Sequence, residues 1–410
     1  MAHPILSALW RNKTGPLLVA TQVALSLAIL ANALYIVQVR QAVAARPSGV
    51  AHEQQIFGVE VRRMGVGTHQ DELALQRRET ATLRAVAGVQ AAAATTQAPL
   101  TRSGNYSGLT TDRKQVVMQA NTTNYMVGDS IVQAWELQLV AGRDFLPNEY
   151  VEIDMNTSKE SPRVAIITQA LARKLFPGVD NVVGKIFYNG NGVSARELQV
   201  VGVVERLQTP AAQIDERGEF STIVPVRLTG MPGSDYTVRA EPGQRDRVMK
   251  EVEAALRAAS PTPIIVRTKS FEEFRSLRYR ADYAMAWMLV TVSVLLLLIT
   301  ASGIVGMASL WVTQRRKQIG VRRALGARRV DILRYFLAEN FMITSAGVVA
   351  GVLLGLGLNQ LLVSQLELPR LPPVYLAGGA VLLWLLGLAA VYGPAWRAAS
   401  ISPATATRSA

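Results

Sequence analysis

"YAMAWMLVTVSVLLLLITASGIVGMASLWVTQRRKQIGVRRALGARR", Tyr283 to Arg329, changes character in one step. Its first 32 residues, Tyr283–Gln314, contain no Asp, Glu, Lys or Arg, and its last 15 contain seven basic side chains and no acid. A helix needs roughly 20 apolar residues to cross the hydrocarbon core of a bilayer, so the first part reads as a membrane span with length to spare. Three more uncharged runs follow the same pattern: Thr14–Val39, Asn340–Leu366 and Leu371–Trp396. Core helices of a soluble protein rarely run so long without a charge, and half of the 410 residues are hydrophobic. The fold class that follows is membrane α-helical, with four transmembrane helices and a large α+β domain between the first two.

The charge is placed as a membrane protein places it. Net charge is +13, and segments 1–14, 314–334 and 397–410 carry +11 of it, with Asp331 their one acid. Basic residues accumulate on the cytoplasmic side, which puts both termini and the 314–334 loop inside and the hydrophilic middle outside. A nucleic-acid binder would carry its excess charge on a folded domain, so nucleic acid is not an expected partner. The run Thr14–Val39 far exceeds a signal-peptide core of about 7–15 residues and reads as an uncleaved first span. Before it, Leu6, Leu9 and Trp10 with Arg11 and Lys13 suit an amphipathic helix over 1–13 lying on the inner membrane surface.

Catalytic signatures are missing. The sequence contains no G-x-x-x-x-G-K-[ST], no G-x-S-x-G, no H-E-x-x-H and no cysteine. Without Cys, and with only His3, His52 and His69, no transition-metal site is expected. No disulfide is needed either, because roughly 240 residues outside the bilayer bury a sufficient core. Glu149, Glu152 and Asp154 read as solvated surface, and the uncharged spans offer no proton or ion relay. The expectation is a non-catalytic membrane subunit with no cofactor of its own.

The outer domain, about 40–280, shows strand and helix periods in turn. "QIFGVEVRR" (Gln55–Arg63), a helix ending at Gly88 and "VQAAAATT" form one β-α-β unit; "DYTVRAE" (Asp235–Glu241), a helix with Val248, Val252 and Leu256, and "TPIIVRT" form another. Together they predict one ferredoxin-like layer over about 50–97 and 233–272, with a β-rich subdomain inserted over about 98–232. The expected order is then transmembrane helix 1 at 14–39 and helix 2 with a stalk at 281–314. A cytoplasmic coupling loop at 315–336, helix 3 at 337–366, helix 4 at 372–396 and a tail at 397–410 follow. Small residues at packing spacing mark helix–helix contacts, within one subunit or at a subunit interface: Gly303 and Gly306 on span 2, and Gly347, Gly351 and Gly355 on span 3. Gln22 and Asn32 on span 1 are expected to bond neighbouring helices.

Within the loop, "KQIGVRRALGA" predicts a short helix stopped at Gly326, a natural left-handed C-cap. Val321, Ala324 and Leu325 share a face at i, i+3, i+4, and a second amphipathic helix leads into span 3. Arginines meeting anionic lipid would explain the charge alone. A protein-docking element also explains two helices with a sharp break between them.

The stretch "RRKQIGVRRALGARRVDILRYFLAENF" resembles the signature loop of MacB/FtsX-type ABC transporter permeases, and "YGPAWRAASISPATATR" resembles that family's closing motif. "LQLVAGRDF", "VAIITQALARKLFPG" and "LQVVGVVERL" are similar to MacB-like periplasmic core domains. The resemblance implies a permease of the bacterial inner membrane, paired with a second permease as homo- or heterodimer. It implies a separate cytoplasmic ABC ATPase dimer that holds ATP and Mg, and a mechanical stroke driving export of peptide, antibiotic-like or lipid-linked substrates. A periplasmic membrane-fusion adaptor and an outer-membrane duct would accompany such an exporter. The alternative within the family is an FtsX-like relay that activates a periplasmic cell-wall hydrolase. By motif position, Gln318, Ile319, Gly320, Val321, Arg322, Arg323, Ala324, Leu325, Gly326 and Ala327 would form the coupling element. Two departures stand out. This chain starts at span 1 without the fused ATPase of MacB, and Gln318 occupies the position of the family's usual acid, which implies either one weakened contact or one half of a heterodimer whose partner keeps the acid.

Overall fold

Apolar side chains at every second position of Ile56–Arg62 determine how the outer domain begins. Phe57, Val59 and Val61 are fully buried, and Gly58, Glu60 and Arg62 take the opposite face, as strand geometry requires. These residues are β1 of a computed structural model that describes residues 14–65, 67–101, 104–366 and 370–400. The expected surface helix over 1–13, most of the tail and part of the span 3–4 turn lie outside those residues. The chain divides into two units, Ala42–Ala281 and the remainder on either side.

Helix α1 (Thr14–Ala44) comes first, and β1 (Ile56–Arg62), α2 (His69–Ala85) and β2 (Val89–Ala94) follow. The insert holds β3 (Tyr106–Thr110), β4 (Ala120–Met126), α3 (Ile131–Ala134), β5 (Leu139–Gly142), β6 (Val151–Asp154), β7 (Val164–Thr168), α4 (Gln169–Leu175), β8 (Ile186–Asn189), β9 (Arg196–Val204), β10 (Ser221–Val224) and β11 (Val226–Thr229). Then come β12 (Gly233–Ala240), α5 (Arg245–Ala259) and β13 (Ile265–Ser270). The chain ends with α6 (Phe271–Gln314), α7 (Arg316–Ala324), α8 (Arg329–Leu366) and α9 (Pro373–Ala399).

The first sheet has the order β13-β1-β12-β2, antiparallel throughout, which is the ferredoxin-like layer expected from the two β-α-β units. One face is covered by α2 and α5, where Val248, Val252 and Leu256 recur every fourth residue and are fully buried. Each such side chain contributes about 1.5–3 kcal/mol on burial. The start of α2 is capped by Thr68, whose hydroxyl accepts from Asp71 N at 3.2 Å.

The insert forms a second sheet, β5-β9-β7-β10-β4-β3-β8, in which β8 also pairs with β9. The sheet thereby closes into a ring of six strands, with β5 alongside the second half of β9. Gly142 permits the close approach there: its φ is +74°, and a Cβ would stand 2.2 Å from the Val201 carbonyl oxygen. A short parallel pair, β6 and β11, completes the insert. Trp135 joins it to the first sheet, fully buried, edge-on to Tyr125 and donating from Nε1 to Thr237 Oγ1 at 2.7 Å.

Helix α6 starts ten residues before the expected start of span 2. Ser270 and Glu273 form a capping box there: Ser270 N donates to Glu273 Oε2 at 2.6 Å, and Glu273 N to Ser270 Oγ at 3.2 Å. At 44 residues the helix is about 66 Å long. Its first turns are held by Arg275, which donates to Glu53 at 2.6 Å and to the Ala44 carbonyl at 2.9 Å. Among the described residues four helices, α1, α6, α8 and α9, are long and apolar enough to cross a membrane.

Candidate functional site

The cationic loop is ordered by three local devices. Helix α7 ends in a paired C-terminal motif: Ala327 N donates to Arg322 O at 3.0 Å and Gly326 N to Arg323 O at 3.2 Å, with Gly326 at φ +95°. Gly326 therefore sits just beyond the helix, at the left-handed position the sequence assigns it. Asp331, the loop's one acid, accepts from Arg328 N at 2.9 Å and places its charge in the first turn of α8. Arg315, immediately before α7, donates to both oxygens of Glu339 at 2.8 and 3.0 Å, and Glu339 is only 1% exposed. Removing one partner of a pair buried this deeply costs about 3–5 kcal/mol.

These devices fix which face of α7 points outward. Ile319 and Gly320 are buried, Ile319 against a cluster that includes Ile332, Phe336, Ala395 and Ala398. Val321 is 53% and Leu325 83% exposed, and Gln318, Arg322 and Ala324 are exposed with them. The guanidinium of Arg322 lies 5.2 Å from the Tyr335 ring centre, which stiffens it without neutralising it. The ten residues grouped by motif position therefore do not act as one surface. Ile319 and Gly320 support the helix from behind, Arg323 and Ala327 are half-buried, and Gln318, Val321, Arg322, Ala324, Leu325 and Gly326 face out.

Behind the loop the spans pack through glycines. A Cβ on Gly347 would meet Ala20 O at 2.7 Å, and one on Gly351 would meet Ala24 O at 2.9 Å, so α8 lies directly against α1. Gly355 faces Leu376 of α9 and Ala28, and its carbonyl accepts from Asn32 Nδ2 at 3.1 Å. Gly303 makes room for the Gln22 amide, where a Cβ would lie 2.5 Å from Oε1. Gly306 differs: among the described residues nothing lies within 4 Å of a Cβ built there, so it takes no part in the packing between these helices. Ser26 and Thr300 add a hydroxyl pair at 2.8 Å between α1 and α6.

Charges reappear where the uncharged runs end. Arg40 and Asp282 pair at 2.6 Å at one end of α1 and α6, and Arg315 and Glu339 pair beside the loop. Sequence reasoning missed both pairs, although the signal for the second was present. A carboxylate directly abutting an uncharged run needs a cation, and Arg315 abuts another run. In the outer domain Glu149 pairs with Arg143, Glu152 with Arg77, and Asp154 accepts from Asn156 N, so the three acids serve three separate contacts. The hydrogen bond from Arg143 holds the Glu149 carboxyl below its usual range.

Among the described residues, four helices able to cross a membrane, an α+β domain between the first two and a structured cationic loop between the second and third are the parts of a multi-pass membrane protein. The sequence profile of MacB-like periplasmic core domains matches residues 18–255, and that of the FtsX-like permease C-terminal domain matches residues 290–403. The chain belongs to the MacB-like family of permeases, with an FtsX-like C-terminal part. It is 27% identical over 72% of its length to the macrolide export ATP-binding/permease protein MacB of Agrobacterium fabrum, covering 44% of that protein. It is 30% identical over 62% of its length to the protein of the same name in Rhodospirillum rubrum, covering 39%. The pyoverdine export ATP-binding/permease protein PvdT of Pseudomonas savastanoi is 27% identical over 60% of this chain, with 38% of PvdT covered. The chain thus spans about four tenths of the length of these curated relatives. A solved heavy-metal efflux pump aligns with 83% of this chain and 35% of its own at 14% identity, with a TM-score of 0.17 that supports no likeness of fold.

Proposed function

We propose that this chain is the permease of an ATP-driven exporter in a bacterial inner membrane, working by mechanical transmission. The termini and the α7 loop lie in the cytoplasm, and residues 42–281 lie in the periplasm. The observation that carries the reading is the outward face of α7, where Val321 and Leu325 stand exposed among fixed arginines on a helix braced from behind. An exposed apolar pair flanked by cations on a rigid helix suits a groove in a protein better than open water. The partner is an ABC ATPase dimer that holds ATP and Mg, and closure of that dimer pushes α7.

The unbroken run of α6 from Phe271 to Gln314 supports a lever that carries the stroke outward. A second permease, identical or related, completes the complex, and Gln318 in place of the usual acid favours a related one. A periplasmic adaptor and an outer-membrane duct carry the substrate onward. The names of the relatives, macrolide and pyoverdine exporters, support export of antibiotic-like, peptide or lipid-linked cargo. The match to the MacB-like core domain supports export over the hydrolase-activating relay.

The test is capture of the tagged protein from its host in mild detergent, beside an Arg322→Glu/Leu325→Asp version. An ATPase with phosphate-loop motifs is expected with the native chain, reduced at least about tenfold with the variant. Capture of no ATPase by the native chain sinks the reading.

A further inference from the structure

The face of the first sheet turned away from α2 and α5 is not fully covered. It opens into a cleft of about 440 Å³ whose floor includes Gly58, Glu60, Asp235, Arg267 and Lys269. Residues following β2, Leu100 among them, form one wall, and Phe274 and Leu277 of α6 form another. Small-molecule sites typically enclose about 300–1,000 Å³.

Strand register sets out the charges. Glu60 lies between Arg267 on β13 and Asp235 on β12, and Lys269 lies opposite Gly58. Arg62 pairs with both acids, with Glu60 at 3.0 Å and Asp235 at 2.9 Å. Arg267 and Lys269 are exposed and have no carboxylate partner among the described residues. The acids are thus neutralised from one side, and two cations remain on the other.

Thr95, Thr96, Gln97 and Thr101 add polar groups to the lining, and Leu100, Phe274 and Leu277 form its apolar part. Gly58 leaves bare space above the sheet, and the Phe274 ring enters it, 2.8 Å from where a Cβ would stand. Leu277, one turn further along α6, is 45% exposed. Leu100 is buried with φ at +66°, a left-handed conformation unusual for a bulky side chain. Strain of this kind persists where surrounding structure enforces it, and it concentrates at ligand sites.

We propose that this cleft binds a small amphiphile with an anionic head group, the head on Arg267 and Lys269 and the apolar body against Leu100, Phe274 and Leu277. Charge-assisted hydrogen bonds from two unpaired cations favour a carboxylate or phosphate, and the same cations repel a positively charged head. The site goes beyond the exporter reading and stands independently of it, because it needs neither an ATPase nor the α7 loop.

The absence of native cysteine allows a clean test on the full chain. Ala98→Cys, which lies in the cleft lining, is labelled with bimane and the protein is placed in phosphatidylcholine nanodiscs. Decanoate and decyltrimethylammonium, matched in chain and opposite in charge, are titrated in turn. Decanoate is expected to shift the emission saturably and decyltrimethylammonium to leave it unchanged. Arg267→Gln/Lys269→Gln, whose fold is checked by its melting temperature, is expected to weaken the decanoate response about tenfold. Nanodiscs containing phosphatidylglycerol distinguish the sources of the head group. A shift without decanoate identifies a membrane lipid, and a response to decanoate alone identifies a soluble ligand. Equal shifts from both probes, no shift from decanoate or phosphatidylglycerol, or a full response in the folded Gln variant overturns the proposal.

Discussion

At Asp235 two effects oppose each other. Burial raises its carboxyl above the ordinary range, and the hydrogen bond and charge of Arg62 pull it back, with burial the larger. A carboxyl whose pKa is raised on folding contributes stability below its unfolded pKa and loses it as pH rises through the folded value. The melting-temperature advantage of the native chain over Asp235→Asn should therefore shrink over the interval of rising pH that begins at the ordinary Asp value of about 4. An advantage that grows over that interval would mean that the Arg62 pair outweighs burial. Gln318 belongs to the same scale: it is exposed on the outward face of α7, and its uncharged amide leaves a surface of apolar and cationic groups alone.

Among the elements, the spans make the sharpest contrast. Gly351→Ala drives a Cβ to 2.9 Å from the Ala24 carbonyl and should cost about 1–3 kcal/mol, read as a lower melting temperature in detergent. Gly306→Ala meets open space and should cost nothing comparable; an equal loss there would mean that another molecule covers that face of α6. The spans were legible because a missing charge is easy to see over 26 or more residues, and the first sheet because Phe57, Val59 and Val61 alternate cleanly. The closed ring of the insert was not legible. Its strands β4 and β10 are rich in threonine, and Thr122, Thr123 and Thr222 are fully buried with Thr122 and Thr222 bonded at 2.9 Å, so no apolar alternation marks them. The facing of α7 was half legible. Val321, Ala324 and Leu325 form a good apolar stripe, but only the position of Ile332 and Phe336 on α8 shows that Ile319 is the inward residue. The capping box at Ser270 and Glu273 could have been read from S-x-x-E ahead of the run, and it explains the early start of α6.

For the whole molecule, the clustering of basic residues sets an orientation that labelling can check. Lys185→Cys and Lys317→Cys, each placed alone in the cysteine-free chain, are both exposed. A membrane-impermeant maleimide added to intact spheroplasts should label the first and reach the second only after permeabilisation; the reverse pattern would invert the topology. The first sheet also has a consequence in time. Strands β1 and β2 are not neighbours, since each pairs with β12, which begins 139 residues after β2 ends. At roughly 5–20 residues per second, synthesis of that interval takes on the order of ten seconds. The strands of the insert's ring all lie within the interval and can join while the layer around them still lacks β12 and β13. Phe57, Val59 and Val61 therefore wait on both Gly233–Ala240, which supplies the neighbouring strand, and Arg245–Ala259, whose Val248, Val252 and Leu256 cover their face.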